Sequence, residues 1–242
     1  MGMRDVPPRG DASWYYMNMA TRKTPFAIGE WYHCYSRGVD KRIVFDDEQD
    51  YRRFLEYLYL VNTGAPLHRA DLGIRDLEEI LLLPRKDALV AIGAFCLMPN
   101  HFHLVLKEIV EGGISTFMQK LGTAYTMYFN ARHERAGNLF VKPFRSRHVN
   151  TDRYFQHLIN YLHCNPAELY EPGWKAGDVK DIKTLIAMLT AYPYSSLGAY
   201  ENAQTPTRAI LDKIMFDIVR TVPAKQMIEE ARAYYLENPD LL

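Results

Sequence analysis

The sequence predicts an α+β protein with a ferredoxin-like core, in which a split β-α-β arrangement forms an antiparallel sheet with helices on one face. Three observations predict it: a strand pair around a tight turn, two amphipathic helical stretches, and the regular alternation of strands and helices. The predicted order is strand, helix, strand, strand, helix, strand and a final helix. We divide the chain into an N-terminal arm at 1–27, a core at 28–168 and a C-terminal helical extension at 169–242.

The first part of the core is a strand followed by a helix. Glu30–Arg37 is rich in the aromatic residues that strands favour, and it stops at Gly38. Asp46 or Asp47 can cap the helix that follows. Apolar residues then recur at helical spacing, namely Tyr51, Phe54, Leu55 and Leu58. Residues 65–86 contain a short acidic and apolar segment, for which we predict a small helix and no function.

The stretch Ala88–Lys107 predicts a buried β-hairpin. Two apolar runs flank Pro99-Asn100; Pro favours a turn because its φ is fixed, and Asn because it tolerates a left-handed backbone. The second strand begins with His101 and His103. Side chains two residues apart on a strand leave the same face, so both imidazoles point to one side. Such a pair can hold a divalent cation, although a histidine in a strand is more often an ordinary core or surface residue.

The second part of the core adds a helix, a strand and a last helix. Apolar residues at helical spacing predict a helix over 114–134, and Phe144–Val149 alternates as a strand. Asp152 is the predicted N-cap of the helix Arg153–Cys164, which ends at Asn165-Pro166.

This last helix has a polar edge beside its apolar stripe. His157, Tyr161 and Asn165 recur at a spacing of four, so they stack along one side of the helix. A tyrosine between a histidine and an asparagine is a candidate reactive edge. A tyrosine that closes the core with its hydroxyl in water explains the same pattern and is the commoner case.

A local basic segment lies within a chain of zero formal net charge. The overall charge therefore attracts no nucleic acid, and any such contact depends on local patches. Phe140 and Phe144 are interleaved with the basic residues, a combination that suits phosphates and stacked single-stranded bases, although a charged run is usually a solvated face. The basic residues are Arg132, His133, Arg135, Lys142, Arg145, Arg147 and His148.

The cysteines and the hydropathy of the chain indicate in which compartment the protein works. The three cysteines are far apart and form no CxxC pair, which argues against a zinc site or a disulfide framework and favours a reducing cytoplasm. No apolar run reaches the roughly 18 residues that a membrane span needs. We therefore expect a soluble intracellular protein.

Several segments resemble the single-tyrosine transposases of the HUH type, and in particular their REP-associated branch. PNHFHLVLK contains the histidine–apolar–histidine signature, and NYLHCNP, residues 160–166, is similar to the tyrosine helix of that branch. Other similar landmarks are YHCYSRG, GNLFVKPFRSRHV and YPYSSLGAY, so that the resemblance extends over residues 22–200.

The resemblance implies the same ferredoxin-like core and an enzyme that cuts and rejoins single-stranded DNA beside a hairpin. It implies His101 and His103 as ligands of Mg²⁺ or Mn²⁺, and Tyr161 as the nucleophile that forms a covalent 5′-phosphotyrosine. Asn165 stands one turn later, where the wider family often has a Gln as third ligand, and His157 is a candidate base. Tyr125, Tyr128 and Tyr154 are other tyrosines of the core, but none lies in the matching motif.

The implied partner is single-stranded DNA with a REP-type hairpin, bound by a monomer or a homodimer. The DNA-binding residues that we predict are Arg37, Lys41, Arg42, Arg132, Arg135, Lys142, Arg145 and Arg147. Two other functions compete with this one. A non-catalytic hairpin-binding regulator would bind DNA without forming an adduct, and a phosphoesterase would use an activated water in place of Tyr161.

Overall fold

The computed structural model describes residues 25–65, 72–73, 75–220 and 222–237, so most of the predicted N-terminal arm lies outside the described residues. The strands are β1 (Trp31–Arg37), β2 (Val90–Met98), β3 (His101–Glu108) and β4 (Arg145–Val149). The helices are α1 (Glu48–Leu60), α2 (Leu77–Leu81), α3 (Gly113–Arg132), α4 (Asp152–Cys164), α5 (Ala167–Tyr170), α6 (Ile182–Ala191), α7 (Leu197–Glu201), α8 (Met215–Ile218) and α9 (Ala224–Glu237).

The four strands form one antiparallel sheet in the order β2-β3-β1-β4. Strands β1 and β2 run in the same direction with β3 between them, which is the split β-α-β arrangement. The predicted α+β, ferredoxin-like fold is therefore confirmed.

Caps define where the core helices begin. Asp47 caps α1 by accepting a hydrogen bond from the Asp50 backbone N–H. Thr151, not the predicted Asp152, caps α4, and its hydroxyl accepts from the Tyr154 backbone N–H. The α3 helix follows a glycine that has no side chain to cap it, and the buried Glu108 carboxylate accepts its first backbone N–H groups instead.

Helices cover both faces of the sheet. One apolar cluster joins α1 and α3 to one face, as predicted. A second cluster joins α4 and the extension helices α6 and α9 to the opposite face. The prediction of helices on one face is therefore wrong for α4 and the extension. The physical reason is that β2 is buried at every position, so both of its faces need a covering layer.

The segment YPYSSLGAY covers the β2 edge of the sheet. The Leu97 N–H donates to the Tyr194 carbonyl, and the Ser196 N–H donates to the Phe95 carbonyl. The hydroxyl of Tyr192 donates to the Leu97 carbonyl. These contacts satisfy backbone groups that an uncovered edge strand would leave unpaired. Among the described residues, no helix is long and apolar enough to cross a membrane.

Candidate metal and tyrosine site

The two histidines of the hairpin face α4. His101 and His103 are both buried, and they lie on the same side of β3 as Val105, which packs in the cluster formed with α4. The Nδ1 atom of His101 lies 2.6 Å from Asn100 Oδ1, and that of His103 lies 2.8 Å from His33 Nε2. The Nε2 atoms of both rings are buried and have no hydrogen-bonding partner.

Tyr161 packs directly against this pair. Its ring meets the His103 ring edge to face, with 5.7 Å between the centroids, and the residue is only 2% exposed. Burial, the largest cause, raises the pKa of the phenol, the Cys96 thiol and the Glu168 carboxylate raise it further, and an interaction with Asn165 lowers it. The nucleophile implied by the resemblance therefore lies beside the histidine pair, and its hydroxyl is firmly protonated in this state.

Asn165 completes the group. It is buried at the C-terminal end of α4, and its Oδ1 atom has no hydrogen-bonding partner. The amide is close enough to influence the pKa of both His101 and Tyr161. The predicted spacing of four along the helix thus brings Asn165 to the same place as Tyr161.

These side chains fit a divalent cation. Buried polar atoms normally have partners, so the unpartnered His101 Nε2, His103 Nε2 and Asn165 Oδ1 are unusual. Burial, the largest cause, lowers the pKa of His101 to about 3 and that of His103 well below its ordinary value, so both rings are neutral, as metal ligands must be. No group of three or more His, Cys, Asp and Glu side chains in the described part of the chain could hold a metal. The candidate set instead combines two imidazoles with one amide oxygen.

His157 lies elsewhere on α4. It is half-buried and lines a surface groove together with Trp31, Arg153 and Arg220. None of the hydrogen bonds or ring contacts found among the described residues joins it to Tyr161. Its role as a base stays a prediction.

An ion pair near the site was not predicted from the sequence. Lys175 lies 2.5 Å from Glu168, and its charge contributes to lowering the pKa of both His101 and His103. Glu168 in turn contributes to raising the pKa of Tyr161. Both residues follow α4 in the chain, where no sequence pattern distinguishes them from other exposed charges.

The C-terminal helix α9 covers the tyrosine. The ring of Tyr234 packs on that of Tyr161 with centroids 5.0 Å apart, and its hydroxyl lies 3.1 Å from the Tyr154 hydroxyl. Asn160 donates to Glu230 at 2.5 Å and ties α4 to α9 one turn further along. The reactive edge of α4 is therefore closed by the extension.

The predicted basic residues separate into two groups, and the first group is engaged within the protein. Arg132 forms ion pairs with Asp47 at 2.5 Å and with the fully buried Asp50 at 2.6 Å. Arg135 donates to Asn130 Oδ1 and to the Asn138 carbonyl, and Arg42 donates to the Val39 carbonyl and pairs with Asp40.

Three residues of the second group share the imidazole face of the sheet. Arg145 pairs with Tyr35 across the strands, and Tyr35 pairs with His103 on its other side. Arg37 pairs with His101. Arg147 pairs with His33 in the same way. Lys41 and Lys142 are exposed. The DNA-binding role of these five residues stays a prediction.

Substitution of one residue from each group should separate stability from DNA affinity. Arg132→Ala removes an ion-pair partner from the buried Asp50, so we expect it to lower the free energy of unfolding by about 3 kcal/mol. Arg145→Ala should leave stability unchanged, weaken hairpin binding, and reduce the slope of log affinity against log salt by about one. Urea unfolding and binding titrations at several salt concentrations measure both. An unchanged salt slope in Arg145→Ala would exclude its phosphate contact.

The buried histidines also predict an acid-labile fold. Burial is the largest cause that lowers the pKa of His33, His101 and His163 to about 3. Their stabilising contribution is complete above pH about 6.5, the pKa in the unfolded chain, and is lost as the pH falls towards 3, because only the unfolded chain takes up the protons. In that range each histidine lowers the free energy of unfolding by about 1.4 kcal/mol per pH unit.

His163→Gln provides the control for this prediction. His163 Nε2 lies 2.9 Å from Ser196 Oγ, and a glutamine can keep a hydrogen bond there without titrating. Urea unfolding between pH 7.5 and 4.5, at roughly one-unit steps, should show a shallower loss of stability in the variant. Identical slopes would show that His163 does not contribute.

Comparison with known proteins supports the resemblance drawn from the sequence. Residues 72–165 match the family model described as "Transposase IS200 like". No curated protein matches the chain. A solved structure of a REP-associated tyrosine transposase bound to a REP hairpin aligns with 85% of this chain and 99% of its own, at 12% identity and a TM-score of 0.47. At that level of likeness, the alignment assigns no role to any residue here.

The matched segment begins before the hairpin and ends at the third member of the candidate set. It therefore contains His101, His103, Tyr161 and Asn165, the four residues that the fold brings together. Residues 72–165 thus carry the sequence pattern of the IS200-like transposases, as the resemblance predicted.

Proposed function

We propose that this protein is a metal-dependent single-stranded DNA endonuclease and strand transferase, a transposase that acts beside DNA hairpins through a covalent 5′-phosphotyrosine. One observation carries the proposal: the Tyr161 ring packs on His103, where three buried nitrogen and oxygen atoms lack partners. A structural tyrosine would explain its burial, but it would not explain three unpartnered ligand atoms around it.

The chain's own residues supply the nucleophile and its surroundings. The Tyr161 oxygen attacks the scissile phosphorus, the bond from phosphorus to the 3′ oxygen breaks, and the phenol proton leaves while the 3′ oxygen gains one. The products are a 5′-phosphotyrosine and a 3′-OH, and attack by a different 3′-OH reverses the step and transfers the strand. A bound Mg²⁺ or Mn²⁺ would polarise the phosphate and neutralise its charge. His101, His103 and Asn165 would hold that ion.

Positive charge beside the site supports a polyanionic substrate. Arg37 and Arg145 are paired across the strands with His101 and Tyr35. A single strand that crossed this face would bring its phosphates to Tyr161 from the β4 edge of the sheet. We propose a DNA hairpin as the partner and the cytoplasm as the location, with the protein acting as a monomer or a homodimer.

A denaturing gel tests the proposal. Protein is mixed with labelled single-stranded DNA that carries palindromes from beside its own gene, with Mn²⁺, with Mg²⁺ or with chelator. We expect a shifted band that survives boiling in SDS, forms with either metal and is absent with chelator. Cleavage without a shifted band would instead support the water-activating phosphoesterase.

One observation favours a second function, a hairpin-binding regulator that does not cut DNA. Tyr161 is almost completely buried and is covered by Tyr234, so the described state gives a phosphate no access to it. Hairpin binding without cleavage, in the presence of each metal, would support this function and contradict the transposase. An adduct in the same assay would exclude it.

A further inference from the structure

His33 is a fully buried polar residue that neither the sequence pattern nor the proposed chemistry uses. It lies on β1, where it pairs with Val105 two residues before the partner of His103, and its ring lies 5.0 Å from the His103 ring between centroids, with 26° between the planes. Its Nε2 atom is 2.8 Å from His103 Nδ1. A hydrogen bond between two buried histidines requires that one ring donates and the other accepts.

The position of this proton decides whether His103 can bind a metal. If His103 Nδ1–H donates to His33 Nε2, the His103 Nε2 atom carries a lone pair that can bind a cation. If His33 Nε2–H donates instead, His103 carries its proton on Nε2 and cannot be a ligand. Each arrangement leaves one buried ring N–H without a partner, His33 Nδ1–H in the first and His103 Nε2–H in the second, so only the first leaves the His103 Nε2 lone pair free for a cation.

His33 can accept this hydrogen bond because of the way its ring faces His103. The residue is completely buried. A neutral imidazole has one ring nitrogen that accepts, and only the Nε2 atom of His33 faces His103. Asn100 plays the same part for His101, the other candidate ligand. The Asn100 Oδ1 atom can only accept a hydrogen bond, so the Nδ1 atom of His101 must be the donor.

We propose that His33 is a positioning residue, which accepts a hydrogen bond from His103 and so holds that ring in the tautomer and orientation needed to bind a divalent cation. The inference rests on the proposed metal site. It makes His33 the counterpart of Asn100, so that each imidazole ligand has its own acceptor. Loss of such an acceptor typically weakens metal affinity by about 10- to 100-fold.

Direct measurement of metal affinity tests this role without using DNA cleavage. Free Mn²⁺ is titrated by electron paramagnetic resonance in the wild-type protein, in His33→Phe and in His33→Gln. Phe keeps an aromatic ring but removes the acceptor, so we expect its Kd to rise by about 10- to 100-fold. Gln can place an oxygen near the position of Nε2, so we expect it to keep most of the affinity. Circular dichroism and thermal melts confirm that each variant is folded.

The outcomes separate this inference from the proposed function. Equal Mn²⁺ affinity in wild type and folded His33→Phe would overturn the role of His33 and leave the metal site in place. No Mn²⁺ binding by the wild-type protein would overturn both. If His33→Phe does not fold, long-range ¹H–¹⁵N correlation of the Mg²⁺-bound wild-type protein decides. A proton on His103 Nδ1 supports the inference, and a proton on Nε2 overturns it.

Discussion

Tyr161→Phe should abolish the covalent protein–DNA adduct completely and leave the fold and hairpin binding intact. Phenylalanine keeps the ring that packs on His103 and on Tyr234, and only the hydroxyl is lost. The free energy of unfolding should therefore change by no more than about 1 kcal/mol. Without the phenolic oxygen no phosphotyrosine can form at this position. Tyr35, whose ring also lies 5.7 Å from that of His103, is the other tyrosine beside the histidine pair, and an adduct in Tyr161→Phe would point to it. The SDS-resistant band on a denaturing gel measures the effect.

Tyr154→Phe is the matched control for this substitution. Tyr154 lies on the same helix and contacts the same residue of α9, with its hydroxyl 3.1 Å from that of Tyr234. It lies outside the group of unpartnered acceptor atoms, so its variant should form the adduct at the wild-type rate. An adduct in Tyr161→Phe, or its loss in Tyr154→Phe alone, would assign the nucleophile to another tyrosine.

Removal of either imidazole ligand should also stop catalysis, but through a different step. His101→Leu and His103→Leu each leave two of the three candidate ligand atoms, so the metal would be lost or displaced. A bound cation contributes several kcal/mol of charge stabilisation at a phosphoryl group. Adduct formation should therefore slow by about a thousandfold or more. Hairpin binding should persist, because the exposed arginines and lysines are unchanged.

Single-turnover rates of adduct formation, measured over a range of Mn²⁺ concentrations, check this expectation. His163→Gln is the control, since it changes a buried histidine that contacts Ser196 and no candidate ligand. Its rate should match that of wild type. Wild-type rates in His101→Leu and His103→Leu, or an adduct that forms in excess chelator, would contradict the metal-dependent mechanism.

Local sequence patterns were sufficient to predict the positions of the candidate ligands. The common face of His101 and His103 depends only on the alternation of one strand, and the alignment of Tyr161 with Asn165 depends only on helix periodicity. The predicted helices 114–134 and 153–164 are observed at Gly113–Arg132 and Asp152–Cys164. Caps explain the two starts: Thr151 begins α4 one residue earlier, and Glu108 of β3 accepts the first backbone N–H groups of α3.

Contacts between distant parts of the chain could not be predicted in this way. His33 is 70 residues from His103, and their approach depends on the pairing of β1 with β3. Tyr234 reaches Tyr161 only because α9 folds back along α4. Arg132 belongs to a basic segment in the sequence, but Asp47 and Asp50 from the start of α1 neutralise it in the fold. Periodicity and local charge contain no information about such partners.

Peptide mapping of the adduct is the most direct test of Tyr161 as the nucleophile. Protein that has reacted with hairpin DNA and Mn²⁺ is digested with nuclease and trypsin, and the peptides are sequenced by mass spectrometry. The relevant peptide, residues 154–175, contains Tyr154, Tyr161 and Tyr170, so its fragments distinguish the three. We expect the added nucleotide mass on Tyr161. Nucleotide on Tyr154 or Tyr170, or cleaved DNA with no modified peptide, would contradict the proposed mechanism.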